Sequence, residues 1–297
     1  MKQRLLIGAL IVALLCLADC GQTNPAAEPS GGLTAGTSAG LDISMPNLPV
    51  VAPPVTETTN APAKTGPTEP PIAGPTGTET VSVVIPEGFT FYQAARRLEA
   101  NGVCGAADFT NAAQSYQIQS FPAAIHPQAC YRMEGMLYPD TYEFYLGEDP
   151  SSALRKMLNN YAEKSGLPDF ETLVLASIIE RETRSDEHMA MVSSVFHNRL
   201  KQGMRLQADA TIAYVEEHIY KDPLVQNPAQ YAERYNTYKC AALPAGPICS
   251  PGRRAIDAAK NPSTSDYLYY FFGKDNTNHY TKSYDEHLAA IKIYGLG

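Results

Sequence analysis

The sequence predicts an α+β fold, with short strands framing a helical body, and three observations carry that expectation. Residues 81–85, Val-Ser-Val-Val-Ile, alternate and then run apolar, as a strand does. Between Thr90 and Gln202, several segments place apolar residues three and four apart, with polar caps before them and glycine stops after them. Near the C-terminus, Tyr267–Phe272 is an apolar, aromatic run of strand length, expected to be a buried strand. Strands at the two ends and helices between them read as α+β.

The 297 residues suffice for one ordinary core or two small domains. The net charge is −8; Lys2, Arg4 and Asp19 contribute +1, which leaves −9 from residue 20 onward. An acidic chain without a basic run argues against nucleic acid as the main partner. Tryptophan is absent, and there are 18 tyrosines, none before Tyr92. Tyrosines suit polar ligands such as sugars, and suit equally well positions that straddle core and surface.

Residues 1–20 read as an export segment. Lys2 and Arg4 precede an apolar run from Leu5 to Ala18, shorter than the about 20 residues a spanning helix needs. Leu17-Ala18-Asp19-Cys20-Gly21 resembles a lipobox but carries Asp19 where a small residue is expected. Lipidation at Cys20, an uncleaved anchor and an ordinary signal peptide all stay open. Each puts the rest of the chain on the extracytoplasmic side of a membrane.

Residues 21–80 contain 11 prolines and no aromatic residue. Such a stretch cannot bury enough apolar surface to offset its chain entropy, so a disordered stalk is expected, about 40 Å end to end as a coil.

Residues 81–132 form a first module. After the strand, Pro86-Glu87-Gly88 makes a turn, and Thr90 with Gln93 makes a capping box. The helix that follows has Phe91, Ala94, Ala95 and Leu98 inward and ends at Gly102; a second helix runs from Ala106 to Tyr116. Strand, turn, helix, helix resembles a LysM-like subdomain, which either binds glycan or only packs.

Residues 133–297 form a mixed α/β second module. Glu134–Phe144 is expected to be extended. Ser151 is expected to cap a helix with Leu154, Met157, Leu158 and Tyr161 on one face, ended by Gly166. Asp169 caps the next helix, and another runs from about Asp186 to Gln202, stopped by Gly203. His197 there reads as a satisfied helix histidine.

Four cysteines follow the export region: Cys104, Cys130, Cys240 and Cys249. In an exported chain an even number suggests disulfides, and proximity favours Cys104–Cys130 and Cys240–Cys249. The spacing lacks the CxxC pairs of a zinc site, so no metal is expected.

The chemistry is narrowed by what residues 81–297 lack: no HExxH, no GxSxG elbow and no phosphate-binding glycine loop. What it has is Leu175-Ala176-Ser177-Ile178-Ile179-Glu180-Arg181-Glu182-Thr183, an apolar run that ends in two carboxylates. A buried carboxyl held in its acid form can protonate a glycosidic oxygen. On a helix Glu180 lies over small Ala176 and Ser177, whereas Glu182 lies over Ile178 and Ile179. That register favours Glu180 as the acid, kept protonated by burial beside Ala176 and Leu173, with Arg184 opposing if it points inward. A helix end that merely turns polar stays open on periodicity alone.

Several segments together resemble the YceG-like endolytic murein transglycosylases, the MltG family. They are Glu134-Gly135-x-Leu137-Tyr138-Pro139-Asp140-Thr141-Tyr142, Leu175–Thr183, and Val195-Phe196-x-Asn198-Arg199-Leu200 with Gly203-Met204-x-Leu206-Gln207. Tyr235-Asn236-Thr237-Tyr238, Leu243-Pro244-x-Gly246-Pro247-Ile248 and His279 follow in order. Departures are Ala210 and Ala245, where the family often has proline. The resemblance covers residues 81–292. It implies water-free cleavage of the MurNAc-β-1,4-GlcNAc bond of peptidoglycan to 1,6-anhydro ends, limiting nascent strand length, without a cofactor. In this scheme Glu180 first protonates the leaving oxygen and then takes the proton of the MurNAc 6-hydroxyl. Gln207, Asn236 and Tyr238 are implied to hold substrate, with Glu134 and His279 as further candidates. Glycan strands are the implied partner, with the membrane at the N-terminus and a peptidoglycan synthase as a further candidate. A water-using muramidase and a non-cutting cell-wall-binding lipoprotein are the rival expectations.

Overall fold

The structure is a computed structural model that describes residues 79–117 and 128–297, all of them within one unit of the chain, Pro67–Gly297. The export segment with Cys20, and the stalk up to residue 78, lie outside the described residues. Among the described residues no helix is long and apolar enough to cross a membrane.

Strand β1 (Thr80–Ile85) leads through a turn into helix α1 (Phe91–Ala100), then α2 (Ala106–Ser115). Thr90 and Gln93 form the expected capping box, and Phe91, Ala94, Ala95 and Leu98 are the buried face. Gly102 supplies the positive φ, +70°, that turns the chain after α1. Strand β2 (Asp140–Tyr145) pairs antiparallel with β1, Thr80 opposite Tyr145 and Ile85 opposite Asp140. The alternation puts Val83, Ile85, Tyr142 and Phe144 on the core face. This pairing crosses the boundary expected at residues 132/133: the partner that completes the first sheet lies beyond it. The extended segment expected over Glu134–Phe144 is extended only from Asp140 onward; Tyr131–Gly135 turns.

Helix α3 (Pro150–Lys164) is capped by Asp149, whose carboxylate accepts the Ser152 N–H, and not by Ser151. Pro150 sits at the first helical position, where a missing N–H costs nothing, and the cap falls two residues before the expected Ser151. Asp169 caps α4 (Phe170–Glu182) as expected, accepting the Thr172 N–H at 2.8 Å. All eight residues from Leu173 to Glu180 on α4 are buried, so the helix runs through the core. It packs against α5 (Asp186–Lys201) and α8 (Arg253–Lys260). Between them come α6 (Asp209–Tyr214), a π-helical turn at Val215–Ile219, and α7 (Ala229–Arg234). His197 returns its ring to the Ser193 carbonyl, 2.9 Å, as a satisfied helix histidine.

A hairpin of β3 (Tyr269–Phe272) and β4 (Asn278–Thr281) with helix α9 (Tyr284–Tyr294) closes the chain. The aromatic run expected to be a buried strand is only partly so. Phe271 is buried, whereas Phe272 is 49% exposed, because a two-stranded hairpin has just one covered face.

The expected disulfides are absent: Cys104, Cys130, Cys240 and Cys249 are free thiols. Cys240 and Cys249 point to different partners. Cys240 Sγ faces the Glu233 and Arg234 carbonyls, while buried Cys249 Sγ lies 3.2 Å from the Ser177 carbonyl on α4.

Candidate active site

The two glutamates that end α4 diverge. Glu180 is 8% exposed, and its Oε2 accepts the Gly252 N–H at 3.0 Å. Its neighbours come from the turn after β1 and the start of α8. Glu87, which bonds Arg254, lies close enough that a Cβ on Gly252 would stand 1.9 Å from its Oε1. Burial pushes the Glu180 carboxyl up, the Glu87 charge adds to that, and the Gly252 N–H, Arg254 and Arg184 oppose it. The same corner is stitched by two backbone bonds, Gly88 N to Ser250 O and Ser250 N to Phe89 O. Glu180 therefore holds the α8 start against the β1 turn.

Glu182 is half-buried on the opposite side of α4. Its Oε2 accepts the Tyr270 hydroxyl at 2.7 Å, and the Ala210 N–H faces the same carboxylate. Burial pushes this carboxyl up as well; Tyr270, Ala210 and Arg181 pull it down, and the charge of Asp209 raises it. Asp209 in turn accepts the Tyr238 hydroxyl. Glu182, rather than Glu180, thus shares its surroundings with the loops that carry Gln207 and Tyr238, two residues expected to hold substrate.

Those two segments are tied to each other at Thr237, which is fully buried. Its hydroxyl accepts the Ala208 N–H at 2.9 Å and lies 3.0 Å from the Thr211 hydroxyl. The Gln207 N–H donates to the Thr237 carbonyl at 3.1 Å, and Gln207 holds a φ of +53° with its side chain exposed. A left-handed non-glycine residue is strained, and such strain is kept where the surroundings over-determine it. The Asn236 side chain accepts the Tyr238 N–H at 2.9 Å and so shapes the turn that presents Tyr238. Behind this layer, Arg199 bonds the carbonyls of Leu206, Arg205 and Leu268, and Asn198 bonds those of Ser265 and Tyr267. The Asn198-Arg199 pair thereby fastens both the Gln207 loop and the strand that carries Tyr270.

Two expected substrate residues lie elsewhere. Glu134 is 1% exposed and occupied by the Phe91 N–H at 2.9 Å and the Tyr214 hydroxyl at 2.8 Å; burial pushes its carboxyl up to about 7. It ties α1 to α6 inside the core. His279 pairs with Phe271 across the hairpin, whereas Tyr280 pairs with Tyr270. Strand alternation puts His279 on the face away from Glu182, where it stacks on Tyr294 and bonds Asp275 and Thr277. Ser177 is also structural: its hydroxyl donates to the Val174 carbonyl and accepts the Ile248 N–H.

Sequence reading missed Tyr270 and Asp209. Tyr270 sits in a run of four aromatic residues, with no local sign that it reaches a carboxylate 88 positions earlier. Asp209 is adjacent to Ala210, where the resembled family often has proline, and that adjacency was its only signal.

The model of the YceG-like family matches residues 72–293. An endolytic murein transglycosylase of Bacillus subtilis (strain 168) is 34% identical over 181 residues, 54% of this chain and 48% of that protein. One of Streptococcus pneumoniae (serotype 2, strain D39) is 32% identical over 162 residues, 48% of this chain and 28% of that protein. The aligned stretch thus spans half or less of these relatives. A crystal structure of a YceG-like protein from Listeria monocytogenes superposes with a TM-score of 0.59 at 30% identity, covering 70% of this chain and 75% of that one. The chain belongs to the YceG-like family.

Proposed function

We propose that the chain is an endolytic peptidoglycan lytic transglycosylase, with Glu182 as its acid and base. The observation that carries this reading is the position of Glu182: half-buried at the end of a core helix, bonded by Tyr270, and beside the strained Gln207 loop and Tyr238. Burial and the Asp209 charge favour its protonated form, the form that can donate to a glycosidic oxygen. As the C1–O bond breaks, that proton passes to the leaving oxygen. The MurNAc 6-hydroxyl oxygen then bonds C1, and its proton returns to Glu182, leaving a 1,6-anhydro end. In this reading Gln207, Asn236 and Tyr238 bind or shape the sugar subsites. Glu180, the acid expected from helical register, takes a structural role in this reading.

In the same reading β1, α1, α2 and β2 form the LysM-like subdomain, extended to Tyr145, and residues beyond it form the catalytic domain. Residues 1–20 export or anchor the chain, with Cys20 as a candidate lipid site, and residues 21–80 act as a stalk. The enzyme then works on the extracytoplasmic face of the membrane, on glycan strands, beside the synthases that extend them, and limits strand length. A water-using muramidase is the second reading, because Asp209 gives Glu182 the neighbouring carboxylate that hydrolysis needs.

The deciding experiment incubates the full chain with purified peptidoglycan and analyses glycan ends by mass spectrometry. The proposal expects 1,6-anhydro ends from the wild type and release about 10²–10⁴-fold slower from Glu182→Gln. Ordinary reducing ends would favour the muramidase, and binding without cleavage would sink both.

A further inference from the structure

Tyr270 and Ala210 both donate toward the Glu182 carboxylate, and by themselves they favour its ionised form. An ionised Glu182 is a poor proton donor. The opposing influences are burial and one charge, that of Asp209, the residue immediately before Ala210. Asp209 is exposed, and among the described residues no lysine, arginine or histidine lies within ion-pair distance to neutralise it. It is fixed by a neutral donor, the Tyr238 hydroxyl, on a turn that Asn236 and Thr237 hold in place. The nearby Arg199 guanidinium is committed to the Leu206, Arg205 and Leu268 carbonyls. A tyrosine orients this carboxylate without cancelling its charge, which a lysine or arginine at position 238 would do.

We propose that Asp209 is a positioning residue for the cleavage reaction: anchored by the Tyr238 hydroxyl and joined to Ala210, whose N–H faces Glu182, its carboxylate is held beside Glu182 and acts on the proton that Glu182 gives and takes. This rests on the reading of Glu182 as the acid. The two carboxylates differ in environment, Asp209 exposed and Glu182 half-buried. The same repulsion serves the return step. Once Glu182 has given its proton to the leaving oxygen, it stands as an anion beside Asp209 and takes up the 6-hydroxyl proton more readily. The groups that face Glu182 are Tyr270 from β3, Asp209 from α6 and Arg181 on its own helix.

The test uses full-length protein and two readouts: the pH profile of 1,6-anhydro release, and a 13C NMR titration of the Glu182 carboxyl, assigned by its loss in Glu182→Gln. In Asp209→Asn the alkaline limb and the Glu182 titration should both move to lower pH by about one unit. Release at neutral pH should fall about tenfold, and Asp209→Glu should restore both positions. A limb unmoved in Asp209→Asn, whatever the loss of rate, overturns the proposal. So do reducing ends that vanish in Asp209→Asn, which would make Asp209 the base for water. If the wild type releases no ends at all, the transglycosylase reading fails while the NMR arm still decides the coupling.

Discussion

Glu180 and Glu182 stand two residues apart on α4 yet face opposite ways, one bonded by Gly252 and the other by Tyr270. Two residues along an α-helix are a rotation of about 200°, so no single cleft can use both. Glu182→Gln should lower the rate of anhydro-end release by about 10²–10⁴-fold with little change in stability. Glu180→Gln keeps a carbonyl oxygen for the Gly252 N–H and should retain activity within about threefold of wild type, an outcome consistent with the rotation of the two side chains. Parallel rate measurements on the two variants check this; the opposite ranking would return the acid to Glu180.

Gly135 has a φ of +82°, and a Cβ there would meet Pro247 Cβ at 2.8 Å and Leu173 Cδ2 at 3.3 Å. Two of the ordered segments, Glu134–Tyr142 and Leu243–Ile248, touch at this point. Gly135→Ala combines backbone strain with a clash against a rigid ring and should destabilise by about 2–4 kcal/mol. Urea unfolding measures it, and a loss under about 0.5 kcal/mol would contradict the packing described.

Thr237→Val keeps the volume but leaves the buried Ala208 N–H without its acceptor. A cost of about 1–3 kcal/mol is expected. Because Ala208 lies between Gln207 and Asp209, KM and kcat should both worsen, and Thr237→Ser should restore both. Steady-state kinetics beside denaturation separate the two effects.

Glu134 supplies a pH signature. Its carboxyl is raised from 4.5 to about 7 in the folded chain, so between these values the folded state binds more protons than the unfolded state. Stability from this group is full below about pH 4.5 and is lost as pH rises through about 7. Glu134→Gln cannot ionise, so the stability difference between wild type and variant should change by about 3 kcal/mol between pH 4.5 and 8. Urea titrations at the two pH values test it, and a constant difference would contradict the burial of Glu134.

Much of the local structure was legible in the sequence because its causes are local. Thr90 with Gln93, Asp169 and the stops at Gly102 and Gly203 act within four residues of themselves. The start of α3 was misplaced because Pro150 competes with Ser151 for the first turn, and a cap acts only with the geometry that follows it. The site was harder, since its deciding partners come from afar. Register alone compared Glu180 and Glu182 by their neighbours one turn back, whereas Gly252 and Tyr270 come from 72 and 88 positions away. Glu134 and His279 looked alike as polar residues in ordered segments. Burial under α1 and the face of a hairpin decide them, and neither is written in a spacing of a few residues.

The pairing of β1 with β2 has a mechanical side. Thr80, where the chain enters the sheet, lies opposite Tyr145, where it leaves toward α3. A pull exerted through the residues before Thr80 and resisted by the body beyond Tyr145 therefore acts on one and the same end of the ladder. The rungs would then load one after another, as in a zipper, rather than all at once in shear. Tension along the chain would peel Thr80 and Val81 first, and Ile85, which joins the turn over Glu180, would yield last.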